Sequence, residues 1–192
     1  MRVFLAVDVD DRVRGGIRAL VERLREPIDR AGGRQRRVGW VSPDRVHVTL
    51  HFIGELTESR VGELTTAVKQ PLDVAPFELA LGGLGLFPPR GRPRVLWVGV
   101  ERGSDGLAQM HEEMGKRLVA LGLPVEERAF SPHVTLARFR EPWPMAVRSV
   151  IEGAGASHIG RCRVTSVTLY QSRPGAGGAT YTPLATGPLR QA

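Results

Sequence analysis

The chain has 192 residues, 42% of them hydrophobic, with one cysteine and a formal charge of +7 from 27 lysines and arginines against 20 aspartates and glutamates. That length suits one domain, or two small lobes sharing a core, and the lone Cys162 excludes an internal disulfide framework and a cysteine-rich metal site. No apolar run approaches the roughly 20 residues of a membrane span, and the short one in MRVFLAVDVD is too brief for a secretory leader, so a cytoplasmic protein is expected.

In chain order, Arg2–Asp8 reads as a buried strand. Asp10 then caps a helix with Val13, Ile17, Leu20, Val21 and Leu24 at helical spacing, which Pro27 is expected to end. A basic glycine-rich loop follows, with RQRR at Arg34–Arg37. Val46–Ile53 alternates and reads as a strand. A helix is predicted from Thr57 to about Gln70, then strands over Phe77–Leu86 and Arg94–Val100. Ser104 or Asp105 caps a second long helix, with Leu107, Met110, Met114, Leu118 and Leu121 on its core face and Gly122 after it. Phe130–Phe139 is a strand, Pro144–Glu152 a short helix, Arg163–Gln171 a strand, and Thr180–Leu184 a candidate last strand.

The halves repeat. RVFLAV at 2–7 matches RVLWV at 94–98 with Val100, an offset of 92, and each is followed by a helix and then by the tetrapeptide HVTL, at His47–Leu50 and His133–Leu136. GLF at 85–87 and TLY at 168–170 extend the series. Two strand, helix, strand, helix, strand units around a pseudo-twofold axis would bring both HVTL strands to one groove. On a strand, His47 and Thr49 share one face while Val48 and Leu50 anchor the other; His133 and Thr135 stand likewise against Val134 and Leu136.

An imidazole is acid or base near neutrality. Two of them flanking one phosphorus atom supply a base for the attacking water and an acid for the leaving oxygen, and two threonine hydroxyls can hold the non-bridging oxygens. His47 and His51 have the spacing of a helical zinc pair, but on a strand four residues span about 13 Å, so no metal and no cofactor is expected. The arginine excess favours an anionic partner, nucleic acid first.

The paired H-h-[TS]-h motifs, with RVFLAVDV, HVTLHFIGEL, RVLWVGV, FSPHVTLARF and VTLYQSRPGAGGATYTPL in this order, resemble the two-histidine phosphoesterases, in particular their RNA 2′,3′-cyclic phosphodiesterase (2′-5′ RNA ligase) branch. The resemblance covers nearly the whole chain. It implies hydrolysis of an RNA 2′,3′-cyclic phosphate to a terminal 2′-phosphate. His47 would protonate the departing O3′, His133 would activate water, and Thr49 and Thr135 would hold phosphate oxygens. It further implies that Phe52 stacks on the terminal base and Arg138 binds phosphate. Strict alternation sends Phe52 and Arg138 to the faces opposite their histidines, so they reach the site only if the strands end, twist or bulge there. The same alternation puts His51 on the face of His47, as a candidate substrate contact or a surface histidine.

Weaker candidates are Gly175–Gly178 as a phosphate cradle, Tyr181 as a substrate contact and Trp40 as a base-stacking residue, each with a turn or packing role as its alternative. His111 and His158 read as surface residues, and Met110 and Met114 as helix core. The expectation is an α+β protein, residues 1–192 forming one bilobal domain with internal duplication: two pseudo-symmetric lobes, each a mainly antiparallel sheet with outer helices, around a central groove. It is expected to act as a monomer on RNA ends, away from membranes, with weak reverse ligation as a side reaction. The alternatives are a phosphodiesterase for a small cyclic nucleotide or a 2′-5′ oligonucleotide, and a non-catalytic RNA-binding module.

Overall fold

The computed structural model describes residues 1–32, 38–126, 128–139, 143–155, 158–175 and 178–190. The Arg34–Arg37 cluster and the middle of Gly175–Gly178 lie outside the described residues. Strands β1 (Arg2–Asp8), β2 (Val38–Trp40), β3 (His47–Glu55), β4 (Phe77–Phe87), β5 (Val95–Arg102), β6 (Val134–Phe139), β7 (His158–Val164), β8 (Ser166–Arg173) and β9 (Thr180–Pro188) form one sheet. Its order is β7-β4-β5-β6-β3-β1-β8-β9, with β2 on β6, and every pair of these named strands is antiparallel. Helices α1 (Asp11–Gly32) and α4 (Ala146–Gly153) pack on the half that contains β7 and β4; α2 (Glu58–Lys69) and α3 (Ser104–Ala120) pack on the half that contains β3, β8 and β9.

The centre of the sheet lies between β6 and β3, which meet at Val48 opposite Val134. The halves on either side carry the same pairing pattern. Val7 pairs with Val48 as Val98 pairs with Val134, and Leu5 pairs with Leu169 as Leu96 pairs with Leu86. These pairs set the offset between β1 and β5 at 91, where matching Arg-Val to Arg-Val gives 92. The correspondence follows which side chain meets the HVTL strand, and that is decided by hydrogen-bond register rather than by identity at a strand's first residues. The third strand of each unit is exchanged: β4 follows β3 and α2 in sequence but pairs with β5, and β8 pairs with β1.

Several boundaries differ from expectation for identifiable reasons. Helix α1 runs through the exposed Pro27 to Gly32, because Ile28 and Gly32 continue the buried stripe of Leu24. Gly32 lies so close to the Trp143 ring that a Cβ there would stand 2.5 Å from it. The α3 cap is Gly103, in the left-handed region at φ +94 where its space is closed by the Glu78 carbonyl, and not Ser104 or Asp105. Arg163–Gln171 is two strands joined only by Thr165, since an alternating pattern with no glycine or proline hides the point where the chain passes from one half of the sheet to the other. β9 runs on to Pro188, and His133 sits just before β6. No helix among the described residues is long and apolar enough to cross a membrane.

Candidate active site

Both HVTL strands are anchored by aliphatic side chains: Val48, Leu50, Val134 and Leu136 are all buried. Complete burial of such a side chain contributes about 1.5–3 kcal/mol, so each motif is held on a firm floor. Extending the antiparallel register outward from Val48 and Val134 sets His47 beside Thr135 and Thr49 beside His133.

Each strand carries a bulge directly after its His-x-Thr. In β3, Ala6 pairs with Thr49 and Leu5 with His51, leaving Leu50 as the extra residue. In β6, Trp97 pairs with Thr135 and Leu96 with Ala137, leaving Leu136 extra. An extra residue inverts the alternation beyond it. Phe52 and Arg138 are therefore returned to the faces of their histidines, while His51 is turned away. His51 is 1% exposed; its Nε2–H donates to the His111 carbonyl at 2.8 Å, and its ring stacks on His111 at 4.0 Å. It is neither a substrate contact nor a surface residue.

His47, Thr49, Phe52, Thr135 and Arg138 line one cavity of about 490 Å³, together with Arg2, Phe4, Arg45 and Tyr181. Phe52 is 52% exposed, so its ring is open to a ligand. His133 is not among the lining residues; it stands beside them, its ring meeting Phe87 edge-on at 5.1 Å with Trp97 at 6.1 Å. The two imidazoles are tethered alike. Nδ1–H of His47 donates to the Arg45 carbonyl at 2.8 Å, and Nδ1–H of His133 to the Ser131 carbonyl at 2.7 Å. A carbonyl can only accept, so both tethers fix the proton on Nδ1 and leave Nε2 for chemistry.

The ring of His47 lies against Phe4 at 4.9 Å and meets Tyr181 edge-on at 5.2 Å. Burial pushes its pKa below the ordinary histidine value; the Arg45 carbonyl and the Asp8 carboxylate act upward, and Arg138 and His133 act downward. Asp8 pairs across the strands with His47 and accepts hydrogen bonds from Thr168 Oγ1 at 2.8 Å and the Tyr170 hydroxyl at 2.6 Å. Burial and that bond to Asp8 raise the Tyr170 pKa, keeping the phenol protonated.

Sequence reasoning missed Asp8, Arg2 and Arg45, whose place at the site depends on cross-strand register and loop path. Tyr181 is brought to the site. Trp40 lies in β2 under the guanidinium of Arg25, 5.6 Å from its ring centre. His111 is sandwiched between His51 and Phe130 instead of standing on the surface, and the exposed His158 opens β7 with its Nδ1 in a 2.8 Å hydrogen bond to the Glu101 carboxylate.

A family model described as 2′-5′ RNA ligase superfamily matches residues 11–176. An RNA 2′,3′-cyclic phosphodiesterase of Aeropyrum pernix is 34% identical over 154 residues, 78% of this chain and 84% of that protein. One of Methanothermobacter thermautotrophicus is 30% identical over 184 residues, 95% of each. The crystal structure of E. coli LigT complexed with 3′-AMP superposes with a TM-score of 0.72 at 27% identity, covering 99% of this chain and 98% of that one.

Proposed function

Because the chain belongs to the 2′-5′ RNA ligase superfamily, we infer that it is an RNA 2′,3′-cyclic phosphodiesterase, as its relatives from Aeropyrum and Methanothermobacter are named. The observation that carries this reading is the delivery of two Nδ1-tethered histidines and two threonines by strands that meet at Val48 and Val134. His133 Nε2 takes a proton from water as its oxygen attacks phosphorus, and His47 Nε2 gives a proton to O3′ as the P–O3′ bond breaks, leaving a 2′-phosphate and a free 3′-hydroxyl. Thr49 and Thr135 donate to the non-bridging oxygens, Arg138 pairs with the phosphate charge, and Phe52 stacks on the terminal base.

The scheme requires no metal ion. Ligation is the same reaction run backwards and is expected to be weak. We further propose a single bilobal domain with internal duplication, which the continuous sheet supports, working as a monomer in the cytoplasm.

The test is hydrolysis of a short RNA ending in a 2′,3′-cyclic phosphate with EDTA present. Wild type should release a 2′-phosphate, identified by phosphorus NMR, and His47→Ala or His133→Ala should each lose about 10²- to 10⁴-fold in kcat. An inert wild type that still binds RNA would make the groove a binding site only.

A further inference from the structure

The two halves of the site share a backbone plan but differ in what lies beneath their histidines. The pairing register sets Asp8 in the place that Gly99 holds in the other half, Thr168 in that of Gly85, and Tyr170 in that of Phe87. Three positions that carry a carboxylate and two hydroxyls near His47 thus carry no polar side-chain group near His133. The space is filled differently as well. Trp97 occupies the position equivalent to Ala6, and its ring lies so close over Gly85 that a Cβ there would stand 2.0 Å away. Both imidazoles rest against aromatic rings, but His47 also shares a second cavity of about 190 Å³ with Asp8, Tyr170 and Tyr181.

We propose that Asp8, held by Thr168 and Tyr170, is the positioning residue that breaks the symmetry of the two histidines and keeps His47 as the proton donor. This rests on the phosphodiesterase reading above. Both carboxylate oxygens are taken by hydroxyl donors, so the Asp8 carboxylate is held beside His47 without competing for the Nδ1–H that tethers the ring. The other groups facing His47 do not supply this charge. Arg138 on β6, Arg2 on β1, Arg45 on the turn before β3 and Arg14 on α1 are cations; Tyr170 on β8 and Tyr181 on β9 are phenols; His133 is the partner base. Asp44, the other carboxylate at the second cavity, pairs with Arg18 at 3.3 Å. Burial, Arg138 and His133 favour neutral His47 and prevail; the Arg45 carbonyl acts against them, and Asp8 is the carboxylate that does so too.

The decisive experiment follows the proton titration of each histidine by NMR in the free protein, alongside the pH profile of kcat/KM, in wild type, Asp8→Asn and Tyr170→Phe. Asp8→Asn should move the His47 titration to lower pH by about one unit and leave that of His133 in place, with roughly tenfold lower kcat/KM near neutrality. The profile limb that follows His47 should move with it while the other limb stays. Tyr170→Phe installs the side chain that the other half already carries, so it should fold, and it should shift His47 in the same direction by less. A His47 titration unmoved in both variants, or a profile that scales down with both limbs in place, would make Asp8 a structural residue and overturn the proposal. An inert wild type would instead sink the reaction assigned to the site, and the titration, read without substrate, would still decide the role of Asp8.

Discussion

Phe52 keeps half its surface in the open cavity although it belongs to a strand whose neighbours Ile53 and His51 are buried. A large apolar ring left in water is a site waiting to be covered. A base stacked on such a ring is held by about 1–3 kcal/mol, so Phe52→Ala should raise KM about 5- to 150-fold, with kcat nearly unchanged, in steady-state hydrolysis of a cyclic-phosphate RNA. The threonines should behave in the opposite way. Thr49→Val and Thr135→Val keep shape and remove one donor to a charge that grows in the transition state, so each should lower kcat about 100-fold with little change in KM. Loss of KM alone in either variant would place that threonine in ground-state binding. At this scale the two histidines and two threonines were legible because the motif occurs twice in matching frames. Asp8 was not, because one acidic residue at a strand end has no signature until the register sets it opposite His47 and two hydroxyls close on it.

The paired bulges at Leu50 and Leu136 decide which side chains belong to the site. Alternation alone misplaces His51 and Phe52 because of the extra Leu50, and Arg138 because of the extra Leu136, and a leucine in a bulge looks like any strand leucine in sequence. The helices show a second feature hidden from sequence. Arg117 of α3 donates to the carbonyls of Ala67, Gln70 and Pro71 at the C-terminal end of α2, while Arg60 of α2 donates to the carbonyl of Leu121 at the end of α3. Each helix thus satisfies the orphan carbonyls of the other, where the macrodipole also favours a cation. Part of the arginine excess is therefore structural and has no bearing on RNA. Arg117→Met should cost about 1.5–3 kcal/mol in urea unfolding, the range for hydrogen bonds from a charged donor, while the folded enzyme keeps its KM for RNA. A raised KM at unchanged stability would return Arg117 to the substrate side.

Across the whole molecule, the pairing of β3 with β6 at Val48 and Val134 makes one continuous sheet, and the exchange of β4 and β8 ties each half of the chain into the other. Fold class and the shared groove were legible because strand and helix periods repeat in order; the exchange was not, since local pattern says nothing of which edge a strand joins. The same packing gives the protein a pH dependence. His47, His51 and His111 all have pKa values below the ordinary histidine value, each chiefly through burial, with the mutual repulsion of the stacked pair adding to that of His111. The unfolded chain therefore binds protons that the folded chain refuses. The stability these groups contribute is complete above about pH 6.5 and falls as the pH drops from there through their folded values. Urea midpoints should thus decrease from pH 7 to pH 5. His111→Phe keeps a ring between His51 and Phe130 and removes one titrating group, so its midpoint should fall less over the same interval, and at pH 5 it should exceed that of the wild type. Parallel decreases in the two proteins would show that the stack does not govern acid stability, and that the loss arises at His47 or elsewhere in the fold.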